Sequence, residues 1–539
     1  MFHTLFRYLQ EKTHLYSGLL TFISTLILIV IFVVLAYKSP YSDRTLISNL
    51  EPYPDTLYYS TPAWNVVHGK PFSMTFNNYT IKLETPPLYS IYLIPFFVVT
   101  GDVRSYYYAN LLLAIATIII FIKAMRILFS GVYSVILVSF LGFLYVTNYS
   151  MYTLPSLLMA ENLSLFLVSV GIYLLVAKPS SKTAIFSPIT SSCLVLTKLS
   201  NIPFAIVICL FLALKHLKNK KLLSIFLSTF LLCAGVSLIY FYSSHFLEGH
   251  KNLSEGSSFS MLNIKSRFTF YSKAIMGQRT TFLWIHERFI LPIISILAGM
   301  GLFVGALHKK YRFMTICIVM CVASLLVFMS GFQWVESRYI FIAYPFILIA
   351  VGVLLHGISH IKYSRFIVGS VIVLVIMQLI AFKNTGYIHN QRGIITFKKQ
   401  IGLNFKYSET PWNYKAVEHF NSYFSANRKN KPILATFLPP FYINYFSKKT
   451  YEYAPLSIYQ EFFWMPKGLG HQMGIGSIES YLEKKFAGGQ EVYLSNAYVG
   501  NLVEWSDELE KLKKKFNAKR VSTGCLDTCS IYRLTTPLK

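Results

Sequence analysis

Long apolar runs dominate this chain and leave few folds open to it. Leu19–Ala36, Tyr106–Ile127, Leu222–Tyr242 and Phe366–Phe382 each approach the ~20 residues with which a helix crosses a bilayer. Further runs lie at Val132–Val146, Leu163–Ala177, Ile185–Thr197, Pro203–Leu214, Phe289–Ala306, Met314–Met329 and Tyr339–Leu355. Hydrophobic residues make up 54% of the chain and charged residues 14%. That balance excludes an ordinary soluble domain and predicts an α-helical polytopic membrane protein with about eleven transmembrane helices. The first run is too long for a signal peptide and lacks a small-residue cleavage site, so it reads as a retained anchor.

The net charge of +27 raises the question of nucleic acid. The cations fall mainly in short loops between apolar runs, where they set orientation, and no nucleic-acid-binding motif accompanies them. No nucleic-acid partner is expected. Placing the N-terminus, with Arg7 and Lys12, in the cytoplasm brings every basic cluster to the inner face. It also brings every acid before residue 383 except Glu11 to the outer face. This map requires that Leu88–Thr100, about 13 residues long and interrupted by Pro95, does not span but lies at the interface or re-enters. Residues 1–383 then form a membrane domain with a first outer loop at 38–105. Residues 384–539 form an extracytoplasmic C-terminal α/β domain in the cell envelope. Its expected strands are Ile433–Phe437, Glu491–Leu494, Arg520–Ser522 and Ser530–Arg533, with helices at Tyr414–Ser425 and Val503–Phe516. If that end is extracytoplasmic, Cys525 and Cys529 are disulfide candidates. The other five Cys lie in or near spans and read as packing residues.

A restricted set of polar groups gathers on the outer side. Asp55 follows the first span, among Tyr53, Tyr58, Tyr59 and Trp64. Lys82 and Glu84 precede Pro86-Pro87. Glu161, Lys198, Arg288 and the pair Arg338-Tyr339 stand at span ends. Ionisable groups at a membrane cost free energy unless paired, hydrated or used in a site. Each also has a plain reading. Lys198, Arg288 and Arg338 suit snorkelling to headgroups, Glu161 suits the positive end of a helix, and Asp55 suits a helix cap. The combination carries more weight than any one member.

Two segments, Asp55-Thr-Leu-Tyr-Tyr-Ser60 and Glu84-Thr-Pro-Pro-Leu-Tyr89, resemble the first outer loop of the GT-C fold membrane glycosyltransferases. The similarity is to the branch with the protein O-mannosyltransferases and the aminoarabinose lipid A transferases. Leu196-Thr-Lys198, the acidic Glu161, and Ser337-Arg-Tyr339 followed by Pro345 are similar to later elements of that family, so the likeness covers roughly residues 15–350. Thr85 stands where the family often has Lys, and Glu51 and Asp55 are not adjacent as the family's paired acids often are.

The resemblance implies a glycosyltransferase, hexosyl- or pentosyl-, that uses a polyprenyl-phosphate sugar on the outer membrane face. The acceptor would be a lipid, glycan or protein. It implies Asp55 as catalytic base and Glu84, Glu161, Lys82, Lys198, Arg338 and Tyr339 as substrate-binding residues. A divalent cation, if one is used, would fall to Asp55 and Glu161, although one carboxylate alone holds such an ion poorly. The competing reading is a polytopic transporter or lipid flippase, which predicts inverted internal repeats; none is evident.

Overall fold

The structure is a computed structural model. It describes residues 2–37, 55–76, 79–81, 85–130, 134–243, 260–282, 285–332, 335–359, 364–381, 384–390, 393–399, 413–425, 431–438, 440–456, 478–497, 503–525 and 527–535.

The apolar runs become helices in the expected order. The first stretch gives α1 (Phe2–Tyr37), α2 (Asp55–Val67), α3 (Leu88–Thr100), α4 (Tyr106–Leu128) and α5 (Ser134–Thr147). A short α6 (Tyr149–Thr153) precedes α7 (Glu161–Val176), α8 (Ser181–Thr197), α9 (Ile202–His216) and α10 (Lys220–Ser243). Helices at Met261–Ile275, Pro292–Leu307, Arg312–Ser330, Tyr344–Ile358 and Ser364–Ala381 follow. Each of the eleven expected segments is thus helical. Among the described residues six helices are long and apolar enough to cross a membrane, or seven if α5 and the turn after it, bent by 59° at Asn148, count as one span. Two others, α7 and Pro292–Leu307, are apolar but have 16 residues each, about 24 Å at 1.5 Å per residue, short of a ~30 Å hydrocarbon core. Helix α3 has 13 residues and falls short of crossing length. The chain is a multi-pass membrane protein.

Tyr344–Ile358 is buried along nearly its whole length and forms the centre of the bundle, whereas α10 has few buried residues and lies at its edge. Close packing at the centre depends on Gly301. A Cβ there would lie 1.9 Å from the carbonyl oxygen of Ala350, which no side chain tolerates. The bend after α5 also has a local cause. The side chain of Asn148 caps α6 by accepting from the Met151 N–H, and its amide donates to the Phe289 carbonyl at 2.8 Å.

Outside the bundle, β1 (Met74–Phe76) and β2 (Tyr79–Ile81) make a small hairpin after α2. A second hairpin, β3 (Arg279–Phe282) and β4 (Ile285–Arg288), continues into β5 (Asn384–Asn390) and β6 (Gly393–Lys399) as one four-stranded sheet. Residues 384–399, expected to open the C-terminal domain, therefore pair with a hairpin that joins two bundle helices. The remaining sheet contains β7 (Ile433–Thr436), β8 (Glu452–Pro455), β9 (Val492–Ser495), β10 (Lys519–Ser522) and β11 (Ile531–Arg533) in the order β10-β11-β9-β7-β8. β7 runs parallel to β8 and β9, and the β9–β11–β10 edge is antiparallel. The helices Ile478–Ala487 and Val503–Lys515 pack a separate core on it, with Ile433, Ala435, Leu482, Leu494, Leu512 and Phe516 buried. The mixed sheet with helices is the α/β architecture expected of this end.

Cys525 and Cys529 form a disulfide across a sequence separation of four. So short a loop removes little unfolded-chain entropy. Cys525→Ser with Cys529→Ser is expected to cost at most about 2 kcal/mol, read as a small drop in the melting temperature of the purified protein.

Candidate functional site

Helix α2 carries the first motif, and Asp55 is its first residue. The Asp55 carboxylate, Lys82 and Glu84 lie outside the described side chains. The body of α2 is buried at Thr56, Tyr58, Tyr59, Ser60, Thr61 and Ala63. Pro62 interrupts its backbone ladder, because proline has no N–H to give the carbonyl of Tyr58. Thr85 supplies the missing donor: its hydroxyl donates to that carbonyl at 3.2 Å. Thr85, the residue that departs from the family pattern, thus ties the Pro86-Pro87 segment to α2. Thr85→Val is expected to cost about 1 kcal/mol by leaving that carbonyl unmet, measured as a fall in denaturation midpoint.

The next residues of the motif lead inward. The ring of Tyr89 packs edge-on against Tyr59 with centroids 5.2 Å apart. Its hydroxyl donates to Asn110 Oδ1 at 2.7 Å. Asn110 Nδ2 donates in turn to the carbonyls of Pro155 and Leu157. Those carbonyls belong to the turn before α7, which Asn162 braces through the carbonyls of Leu154, Leu157 and Met159. Burial pushes the Tyr89 phenol well above its ordinary range, and the nearby charge of Glu161 adds to this.

Glu161 opens α7, where the helix dipole favours a negative charge. It is 2% exposed, and Oε1 accepts from Lys198 Nζ at 2.5 Å. Its other oxygen, Oε2, is buried and has no hydrogen-bond partner among the described residues. Lys198 is the residue at which α8 ends. Asn201, three residues on, donates to Ser164 Oγ at 2.8 Å and holds the Lys198 turn against α7. The Lys198 ammonium also lies over the ring of Tyr339, 4.8 Å from its centroid. The Arg338 guanidinium sits 5.1 Å from the same centroid and forms an ion pair with Glu336. The structure therefore brings Glu161, Lys198, Arg338 and Tyr339 together from residues 161, 198 and 338–339. Two carboxylate–cation pairs thus share one tyrosine ring.

The sequence reading missed neighbours of this cluster. Tyr271, on the helix Met261–Ile275, is fully buried, with its phenol pushed up by burial beside Tyr339, Glu336 and Arg338. Arg267, one turn earlier on the same face, has a buried Nε with no hydrogen-bond partner among the described residues. Neither residue stands out in sequence, because both belong to a short polar helix with no motif. Arg288, noted earlier, lies opposite Arg279 on the β3–β4 hairpin; burial and that like charge lower its pKa. Among the described residues no group of three or more His, Cys, Asp or Glu gathers to hold a metal ion. Glu161, already bonded to an ammonium, makes a poor ligand set for a divalent cation.

No protein-family model matches the chain, and no curated protein is significantly similar to it. Solved structures are similar. The crystal structure of ArnT from Cupriavidus metallidurans bound to undecaprenyl phosphate aligns over 95% of this chain and 99% of that one, with a TM-score of 0.60 at 11% identity. The chain has the GT-C fold. The oligosaccharyltransferase of Archaeoglobus fulgidus, tethered with an acceptor peptide, aligns over 97% of this chain and 75% of that one, with a TM-score of 0.47 at 11% identity. The GT-C assignment rests on the first of these and on the helix order above. At such identities it covers architecture and leaves the chemistry to the residues.

Proposed function

We propose that this GT-C protein is a membrane glycosyltransferase that moves a sugar from a polyprenyl-phosphate donor to a lipid, glycan or protein acceptor on the outer membrane face. The observation that carries the reading is the largely buried Glu161–Lys198–Tyr339–Arg338–Glu336 cluster, in which Glu161 and Arg338 are buried and the others half-buried, tied through Tyr89 and Asn110 to the loop that presents Asp55. A structural ion pair alone does not call for two cations on one aromatic ring at the ends of apolar helices. The undecaprenyl phosphate in the similar ArnT structure supports a lipid phosphate as the leaving group.

In this reading the acceptor hydroxyl attacks the anomeric carbon while the carbon–oxygen bond to the phosphate breaks. The proton passes to the Asp55 carboxylate, acting as general base. The electron pair leaves on the polyprenyl phosphate. Lys198 and Arg338, with Lys82 and Arg267 as further cations, stabilise that developing charge in a low-dielectric site. Glu161 Oε2, lacking a partner, accepts from a sugar hydroxyl, as does Glu84. The apolar helix faces take the prenyl chain. The C-terminal α/β domain is taken as extracytoplasmic, with its helix Pro440–Phe446 against α2 of the first outer loop.

The test offers the purified protein a panel of polyprenyl-phosphate hexoses and pentoses with an outer-membrane-face acceptor extract. Free polyprenyl phosphate should appear with at least one donor. Movement of intact donor across sealed vesicles, with no release, would favour the flippase reading instead.

A further inference from the structure

Among the described residues, Tyr445 is where the C-terminal region meets α2 of the first outer loop. Tyr445 lies on the helix Pro440–Phe446, and its hydroxyl is 2.7 Å from both Ser60 Oγ and Thr61 Oγ1 of α2. Its ring packs on Trp64, with centroids 5.2 Å apart. The proton directions follow by exclusion. Ser60 has one hydroxyl proton, and it goes to the Thr56 carbonyl at 2.6 Å. Tyr445 must then donate to Ser60, and Thr61 donates to Tyr445. A single directed chain runs Thr61, Tyr445, Ser60, Thr56 and ends one residue from Asp55. Burial pushes the Tyr445 phenol up, so it keeps its proton at physiological pH.

This contact lies where α2 needs support. Pro62 has already removed one ladder bond from the helix, and back-bonding by Ser60 bends such helices further. A second contact fixes the same C-terminal segment from outside the helix. Arg104, bonded to both oxygens of Asp102, lies over the rings of Tyr414 and Phe446 at 4.7 and 5.3 Å. The helix that carries Tyr445 is therefore also anchored through its neighbour Phe446.

We propose that Tyr445 is a positioning residue: it fixes the first turns of α2 from the C-terminal region, and through them sets where Asp55 meets the acceptor. The proposal rests on the reading of Asp55 as base. It gives the C-terminal region a part in the chemistry beyond that of a cover.

The test uses the full-length protein and follows polyprenyl phosphate release. Tyr445→Phe keeps the ring against Trp64 and removes only the hydroxyl. We expect kcat to fall about tenfold to a hundredfold, as small misplacements of reacting groups do, with the donor KM within about twofold. Thr61→Val should fall in the same way, and Thr61→Ser, which restores the hydroxyl, should recover wild-type kcat. Combining Tyr445→Phe with Thr61→Val should add little, because both break one chain. Amide exchange across residues 56–61 should quicken in Tyr445→Phe more than exchange elsewhere, beside a small fall in melting temperature from the lost hydroxyl. Wild-type kcat in Tyr445→Phe, or a loss confined to KM, would overturn the proposal. Asp55→Asn, run alongside, separates the two readings. An inactive Asp55→Asn beside a fully active Tyr445→Phe removes the positioning role alone, while an active Asp55→Asn removes the base itself.

Discussion

Asp55→Asn is expected to lower turnover about a hundredfold to ten-thousandfold while the protein stays folded. That is the usual contribution of a positioned general base. The substitution keeps size and hydrogen-bonding shape but removes the proton acceptor. Donor affinity should change little, because the proposed site assigns the lipid phosphate and prenyl chain to other groups. The measurement is single-turnover release of polyprenyl phosphate at saturating donor, together with thermal melting in detergent. The plain alternative, that Asp55 only starts α2, predicts a different pattern. Asparagine is as good at a helix start as aspartate, so both turnover and melting would then remain near wild type.

The second large effect concerns the buried ion pair. Lys198→Met leaves the Glu161 carboxylate charged, 2% exposed, and without its 2.5 Å partner. Removing one member of such a pair costs about 3–5 kcal/mol, chiefly by stranding the other charge. The double variant Lys198→Met/Glu161→Leu should recover most of that stability, because a buried pair and an apolar replacement are often nearly equivalent. Turnover should not recover, since the double variant has lost both a cation for the leaving phosphate and the free oxygen of Glu161. Melting curves and release assays on the three proteins resolve the two effects. Restored turnover in the double variant would reduce the pair to a structural feature.

The fold was legible because its signal is repeated. Eleven apolar runs, each with cations at one end, need little beyond counting, and Pro95 with 13 residues marks α3 as too short to cross. Bends were less legible. The chain turns at Asn148, just past the run Val132–Val146, and hydropathy alone does not show where a backbone bends. The small strands β1 to β6 escaped because each has three to seven residues and pairs with partners that pattern reading cannot assign. Glu161, Lys198 and Arg338-Tyr339 were visible one by one, as charges beside apolar segments. Their meeting was not, because nothing local links positions 161, 198 and 338. Thr85 was visible only as a departure from the family pattern, and Tyr271 and Tyr445 had no signal. Tyr445 is one of 38 tyrosines, and its importance lies wholly in two hydroxyls nearly four hundred residues earlier.

The central claim is that sugar leaves a lipid phosphate and arrives on an acceptor hydroxyl at this cluster. The direct measurement uses a donor labelled separately in the sugar and in the prenyl chain, with wild type and Asp55→Asn in parallel. The account expects wild type to release one polyprenyl phosphate for each sugar recovered on acceptor, and Asp55→Asn to yield neither at a comparable rate. Intact donor crossing the bilayer with both labels together, or equal transfer by the two proteins, would contradict it.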